Sequence, residues 1–370
     1  MIRRFFIYLI LLRVCLVFNI EIESSLYWDN VNDNSSYRRL SEMITEAKMG
    51  QSIRHLVTIE IGTPPQKLDL KLSTAICGIW VLNKHMFGRG YIPEKSGTLE
   101  ALLQDNIIDK VSGKVISDTI YLGDVVLKEV PFLLVYESEK LDKKTILYDG
   151  LIGFGYKCKA KSVTNINLLE RFAKESGDKQ IIGYQINHEM QCGSIILGRI
   201  PDRVDQQSRL YRTIPVHQDN YNGHWEVDLY AVYFNDKFFS VRSSLSIGIG
   251  GTLISVTDKF FDFLLNEIFN HYIYLGVCEL HKDEVWEIFC DRDFYVDEIK
   301  DISFIVGKWN FKIYSKSLFR DVRVKGEKKK WFAIIYHQKY NQWYISQNLF
   351  SSSIFVFNKE ANSIGIYPIK

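Results

Sequence analysis

Residues 55–66 read HLVTIEIGTPPQ, and this stretch decides the fold class. Residues 55–61 are rich in Val, Ile and Thr, which favour a pleated strand. The four residues that follow, Gly62 to Pro65, are turn formers, and proline there restricts φ. A second β-rich run begins at Leu68. The stretch therefore predicts a strand, a turn and a second strand.

The same succession of β-rich runs and turn residues continues to the C-terminus. Two stretches, residues 166–175 and 257–269, instead repeat apolar residues at three- and four-residue steps and predict helices. Many short strands with isolated helices predict a mostly-β protein. The predicted strands cover residues 55–61, 68–72, 79–82, 115–121, 126–136, 181–186, 194–197, 225–234, 302–306, 331–336, 354–357 and 363–367.

Length and composition indicate a two-domain globular protein. The chain has 370 residues, which is long for one hydrophobic core, and 46% of them are hydrophobic and 24% charged. The net charge of the chain is +2, which does not indicate the strongly basic surface of nucleic-acid-binding proteins. No nucleic-acid partner is therefore predicted. One basic run, residues 328–330 beside Lys325, is interpreted as a solvated hairpin tip.

The N-terminus resembles a targeting segment. Arg3 and Arg4 precede the apolar residues 5–12, and a second apolar run follows Arg13. This pattern predicts a secretory signal over residues 1–20. The alternative is an uncleaved anchor, although the run is shorter than the roughly 20 apolar residues that a spanning helix needs. We expect a secreted, vesicular or N-terminally membrane-anchored protein, with membrane contact only through that anchor.

A polar leader, residues 21–54, follows the signal and contains little that could build a core. Asn34 begins an Asn-Ser-Ser triplet and is a candidate glycosylation site. Of the six cysteines, Cys15 lies in the signal, so an odd number remains and at least one thiol is expected to be free or paired with another chain. The cysteine spacings match no zinc template, and no metal site is predicted. Cys278 and Cys290 are close enough to close one loop with a disulfide.

Six motifs in order are similar to those of the pepsin-like aspartic peptidase family of eukaryotes. The resemblance covers residues 55–370 and implies the pepsin-like acid protease fold, which is bilobal, with two β-barrel-like lobes and a central cleft. The lobes would be residues 55–205 and 206–370. The motifs are residues 55–66, IWV at 79–81, YDGLIGFGY at 148–156, GSIILG at 193–198, WEV at 225–227, and the closing segments 343–350 and 354–366.

The resemblance also implies a mechanism that depends on two carboxyl groups. Each lobe contributes one Asp-Thr-Gly loop, and two carboxyl groups held close together share one proton because they cannot both ionise. The ionised carboxylate takes a proton from a bound water, and the protonated carboxyl polarises the scissile carbonyl. Both carboxyl groups are needed.

Neither position carries aspartate in this chain, which contains no Asp-Thr-Gly or Asp-Ser-Gly triplet. Ser73 and Gly248 stand where the family has its catalytic residues, and neither side chain can ionise. Asp69 and Asp258 are the nearest carboxylates, and both are too far along the chain to substitute. The cleft loops implied by the resemblance also contain Thr74, Ala75, Ile249 and Gly250. No residue is therefore predicted to be catalytic.

The flap of the family would fall near residues 105–121. Its tyrosine would lie near Asn106 or Ile107, and neither residue can serve in that role. The sequence therefore predicts a catalytically inactive homologue, a pseudoprotease, that binds peptides or a protein partner through its cleft or surface and needs no cofactor.

Two alternatives remain open. An active endopeptidase would require misaligned loops, or a new nucleophile such as Ser73 or Cys77 with a neighbouring base, for example His85. We interpret Cys77 instead as a small buried residue or half of a disulfide. The second alternative is a scaffold or adhesion protein with a filled cleft, and the bulky Ile76 and Ile249 favour an apolar floor.

Overall fold

The computed structural model describes residues 21–27, 54–108, 111–138, 148–158, 166–187, 192–218, 223–249, 253–324, 326–339, 341–346 and 353–368. The predicted signal, residues 1–20, and the candidate glycosylation site Asn34 lie outside the described residues. In the part of the chain that is described, no helix has both the length and the apolar character needed to cross a membrane.

Strands dominate the chain. The first eleven are β1 Glu21–Tyr27, β2 Arg54–Ile61, β3 Gln66–Ser73, β4 Cys77–Leu82, β5 Glu100–Ile108, β6 Val111–Leu122, β7 Val125–Ser138, β8 Gly150–Phe154, β9 Ile181–Asn187, β10 Cys192–Leu197 and β11 Arg212–Pro215. The rest are β12 Glu226–Phe234, β13 Lys237–Gly248, β14 Ile254–Val256, β15 Cys278–Lys282, β16 Val285–Asp291, β17 Ile302–Val306, β18 Trp309–Ile313, β19 Phe319–Val324, β20 Glu327–Phe332, β21 Ile334–His337, β22 Trp343–Ser346, β23 Ser353–Asn358 and β24 Ser363–Pro368.

Helices are short and few. They are α1 Lys84–Phe87, α2 Leu168–Ser176, α3 Asp258–Leu264 and α4 Asn270–Tyr274, with a π-helical turn Leu265–Phe269 between the last two and 3₁₀ turns at Pro93–Lys95, Val296–Glu298 and Ser315–Leu318. The mostly-β prediction is confirmed, and β17 begins and ends where the sequence pattern predicted.

The strands form two large sheets. One has 13 strands in the order β11-β24-β23-β9-β10-β1-β2-β3-β8-β4-β7-β6-β5. The other has 11 strands, of which ten follow the order β18-β17-β12-β13-β22-β14-β21-β16-β20-β19 while β15 pairs with β16. Two such sheets agree with a bilobal pepsin-like fold.

Sheet membership does not follow the predicted division at residues 205 and 206. The closing strands β23 and β24 belong to the first sheet, where β23 pairs antiparallel with β9. Val356 faces Gly183 across this pair, and β23 is buried along most of its length. The C-terminal strands therefore complete the first sheet rather than the second.

The predicted leader also contributes a strand. β1 lies between β10 and β2, with Ser24 opposite both Gly193 and Val57. The sequence predicts little in residues 21–54 that could build a core, and its pattern does not predict this strand. Strand pairing uses main-chain hydrogen bonds, so a polar sequence can join a sheet without supplying core side chains.

Two other predictions need correction. The single strand predicted over residues 331–336 is divided at Ala333, whose N–H donates to the carbonyl of Leu318 at 2.7 Å instead of continuing one strand. The lysine run does not form a hairpin tip, because Val324 pairs with Glu327 and all three lysines lie on β20. Lys329 Nζ lies 3.0 Å from Glu279 Oε1, so this lysine stabilises the sheet surface.

Trp225 links the two sheets. Its side chain is fully buried, and its indole N–H donates to the carbonyl of Phe154 at 3.1 Å. The rings of Tyr156 and Phe357 pack on it with centroid distances of 5.0 and 5.1 Å. One continuous hydrophobic cluster therefore contains residues from both sheets.

A buried carboxylate organises the base of the β5–β6 hairpin. Asp118 on β6 is 1% exposed and accepts hydrogen bonds from the Tyr91 hydroxyl, from Thr98 Oγ1 at 2.5 Å and from the backbone N–H of Thr119 at 2.7 Å. Desolvation and the hydrogen bond to Asp118 raise the pKa of Tyr91 well above its ordinary value. The Tyr91 hydroxyl therefore stays protonated and keeps donating to the carboxylate.

Two disulfides are present in the described residues. Cys77 pairs with Cys158, and Cys278 pairs with Cys290 directly across the β15–β16 ladder. The second is the pairing considered from the sequence spacing. The first resolves the two interpretations of Cys77 in favour of a disulfide half.

Candidate functional site

The first loop of the site is built from β3, β4 and β8. β3 ends at Ser73 and runs parallel to β8, with Ser73 opposite Gly153. After the turn, β4 returns antiparallel to β8, with Gly78 opposite the same glycine. A Cβ at Gly153 would lie 2.5 Å from the carbonyl oxygen of Ile76, so only glycine lets the loop pack this closely.

The second loop repeats this arrangement. β13 ends at Gly248 and runs parallel to β22, with Gly248 opposite Ser346. β14 returns antiparallel to β22, with Ile254 opposite Ile345. Ser73 and Gly248 therefore occupy equivalent positions, each at the end of a strand that is paired in parallel with the central strand of its motif.

The two loops meet. The backbone N–H of Ile249 donates to Thr74 Oγ1 at 2.9 Å, and both residues are 1% exposed. Isoleucine has no hydroxyl, so its side chain cannot return the bond. We call Ser73–Thr74 and Gly248–Ile249 together the loop junction. This bond brings the ends of β3 and β13 side by side although they lie far apart in sequence.

The polar groups at the loop junction are neutral. Ser73 is half-buried, and its Oγ accepts a hydrogen bond from the backbone N–H of Ala75 at 3.2 Å. Tyr344 packs against Gly248, and a Cβ at position 248 would lie 2.8 Å from the tyrosine hydroxyl oxygen and 2.9 Å from Cε2. Burial raises the pKa of Tyr344, so its hydroxyl stays protonated. The tyrosine ring fills the space that a side chain at position 248 would need.

The nearest carboxylates in the sequence have other roles. Asp69 lies within β3, and its Oδ1 accepts a hydrogen bond from Thr58 Oγ1 at 2.6 Å. Asp258 begins α3 and accepts from Asn341 Nδ2 at 3.2 Å. Neither carboxylate lies in the two loops.

The remaining predicted residues are distributed as follows. Ala75 is half-buried in the first loop, whereas Gly250 lies outside the described residues. Ile249 is buried as expected for an apolar floor, but Ile76 is 37% exposed. His85 pairs with Glu94 at 3.0 Å on the surface. Cys77 is bonded to Cys158 and so has no thiol that could act as a nucleophile.

A hairpin occupies the region where the flap was predicted. β5 and β6 pair with Asn106 opposite Gly113 and Ile107 opposite Ser112. Residues 109 and 110 at its tip lie outside the described residues.

A set of polar residues beside the loop junction is not predicted from the sequence. Glu226 on β12 faces Ser246 on β13, and Ser246 faces Tyr344 on β22. We call Glu226, Ser246 and Tyr344 the polar row. His224 joins it, since its Nδ1 lies 3.2 Å from Ser246 Oγ, which in turn lies 3.5 Å from Glu226 Oε1. Residues two apart on a strand share a face, so the row lies on the same face of β13 as Gly248.

The polar row does not have the order of a nucleophilic triad. In such a triad the base lies between the nucleophile and the carboxylate. Here the serine lies between His224 and Glu226, and Ser246 is only 3% exposed. The arrangement suits hydrogen bonding to a bound group more than attack on it.

Comparisons with known proteins agree with the geometry. The model of the eukaryotic aspartyl protease family matches residues 54–369. Vacuolar protease A of Aspergillus fumigatus is 24% identical over 310 residues, which cover 77% of this chain and 70% of that protein. Vacuolar protease A of Neurospora crassa is 22% identical over 57% of this chain and 54% of its own length. Aspartic proteinase A1 of Arabidopsis thaliana is 24% identical over 46% and 36%, so the matches to the last two relatives span less than two thirds of their length.

Proposed function

Because the chain belongs to the eukaryotic aspartyl protease family, we propose that it is a non-cleaving member that binds peptides or a protein partner through its cleft. The observation that carries this proposal is the loop junction, whose two equivalent positions hold Ser73 and Gly248. A shared proton between two carboxyl groups is the basis of the family's chemistry, and these residues supply neither carboxyl.

The packing around Gly248 supports the same conclusion. In the family mechanism, the second carboxyl would project from this position into the junction. Tyr344 fills that space, and its protonated hydroxyl can donate a hydrogen bond but cannot take a proton from water. Loss of the carboxyl is thus accompanied by a side chain that occupies the space next to position 248.

A binding role is compatible with such a site. A cleft between two β lobes can hold an extended peptide by main-chain hydrogen bonds whether or not it cleaves the chain. The disulfides are consistent with the secretory pathway, and we propose that the protein acts there or in a vacuolar compartment.

The competing proposal is an active aspartic endopeptidase. It is favoured by the names of the relatives, which are proteases. It requires that the acid dyad be formed by residues other than those at the loop junction.

Peptide cleavage and peptide binding should be measured in parallel on the full chain. We expect no cleavage of a diverse peptide library from acid to neutral pH, and retention of a subset of the peptides by the folded protein, detected by mass spectrometry after elution. A Ser73→Ala variant serves as a matched control, because it abolishes any cleavage in which Ser73 is the nucleophile.

The outcomes separate the proposals. Cleavage that a transition-state-mimicking aspartic peptidase inhibitor blocks would overturn the non-cleaving proposal. Neither cleavage nor retention by a folded sample would indicate a scaffold whose cleft is filled.

A further inference from the structure

The polar row has a composition unlike the hydrophobic surroundings of the two loops. Its residues face one another across three adjacent strands, and Glu226 and Ser246 are buried while Tyr344 and His224 are half-buried. Tyr344 and His224 are therefore the more accessible members of the set, and Glu226 is more deeply buried.

The chemistry of this set selects a positively charged partner. Glu226 carries the negative charge of the row, and charge-assisted hydrogen bonds from an ammonium or guanidinium to a carboxylate are among the strongest available. The tyrosine ring adds a face that attracts cations. An aliphatic side chain would offer these polar groups no hydrogen bond, and an acidic one would face Glu226.

The position of the row determines which ligand could deliver such a group. Ser246 precedes Gly248 by two residues on β13, and the Tyr344 hydroxyl borders position 248 directly. A peptide that passes over the loop junction in an extended conformation would direct alternate side chains towards this face.

We propose that the polar row and His224 form a pocket for the basic side chain, lysine or arginine, of an extended peptide. This inference rests on the proposed peptide-binding function and adds the identity of the preferred side chain. Glu226 binds the cationic head, Tyr344 stacks against the stem and the head, and Ser246 and His224 orient the carboxylate.

The test compares peptides that differ only in charge. Short synthetic peptides taken from the retained set are made with lysine or norleucine, and with arginine or citrulline, at each position in turn, and their affinities for the full chain are measured by calorimetry. At one position we expect the charged member to bind roughly 10- to 100-fold more tightly.

Variants of the protein locate this preference. In Glu226→Gln, which keeps the shape of the side chain, the ratio of lysine to norleucine affinity should fall towards one. Tyr344→Phe keeps the ring that stacks on the basic side chain and should leave the ratio of lysine to norleucine affinity largely unchanged. Glu327→Gln removes an exposed carboxylate on β20 and should leave the ratio unchanged.

The result on the wild-type chain remains decisive even if Glu226→Gln fails to fold. Peptide binding with no preference for lysine or arginine at any position overturns this inference and leaves the proposed function standing. A basic preference that persists in folded Glu226→Gln also overturns it. If no peptide binds at all, this inference and the peptide-binding form of the proposed function both fail.

Discussion

Replacing Gly248 with aspartate is expected to lower the free energy of unfolding by about 2–4 kcal/mol, and not to create half of an acid dyad. The new Cβ would lie 2.8 Å from the Tyr344 hydroxyl, closer than real Cβ atoms approach oxygen. Either the ring or β13 must move, and the carboxyl would enter a desolvated site. Chemical denaturation followed by tryptophan fluorescence measures the loss.

A double-mutant cycle with Tyr344→Ala tests the cause. If the clash dominates, Gly248→Asp should cost at least about 1 kcal/mol less in the Tyr344→Ala background than in the wild type. Ser73→Asp is the matched control at the equivalent position, where a Cβ is already accommodated. An equal cost of Gly248→Asp in both backgrounds, or no cost in the wild type, would show that Tyr344 does not occupy this space.

The second large effect concerns the buried carboxylate on β6. Asp118→Ala is expected to destabilise the fold by about 3–5 kcal/mol, because the Tyr91 and Thr98 hydroxyls and the Thr119 N–H would lose their common acceptor in a buried site. Asp118→Asn should cost less than Asp118→Ala, since the amide carbonyl oxygen still accepts hydrogen bonds. It should still destabilise the fold, because the amide nitrogen cannot accept from the Tyr91 hydroxyl. Thermal and denaturant unfolding measure both variants.

Asp124→Asn is the control for this prediction, because Asp124 lies exposed in the turn after β6 and should change stability by less than about 0.5 kcal/mol. The network also fixes Thr98, which precedes β5, so Asp118→Ala should weaken protection of the β5–β6 hairpin amides in hydrogen exchange. A stable Asp118→Ala variant with unchanged protection would contradict the role assigned to this carboxylate.

Local patterns predict most strands, because the alternation of apolar and polar residues that marks a strand lies within the strand itself. The run Ile302–Val306 alternates buried and partly buried residues, and its limits could be predicted from sequence alone. Pairing could not be predicted in this way. β1 and β23 join the first sheet through main-chain hydrogen bonds to strands far away in the chain, and no local signal specifies such partners.

At the candidate site, too, the local motifs could be predicted from the sequence and the contacts between strands could not. Spacing from Trp80 and the glycines near residue 248 identified Ser73 and Gly248, because these motifs are contiguous in sequence. The contact of Tyr344 with Gly248 depends on the parallel register of β13 and β22, and the polar row depends on two registers at once. Glu226 and Tyr344 lay inside recognised motifs, but their side chains acquire a common role only after folding.

The closing strands have a consequence for biosynthesis. β9 is synthesised well before its neighbour β23, and β23 and β24 are the last of the described strands to be synthesised. The first sheet therefore exposes an unpaired edge on the nascent chain until residues 353–368 have been synthesised, and such edges recruit chaperones or other chains. A ribosome-stalled or prematurely terminated product that ends before residue 353 would contain most of the first sheet and still be aggregation-prone.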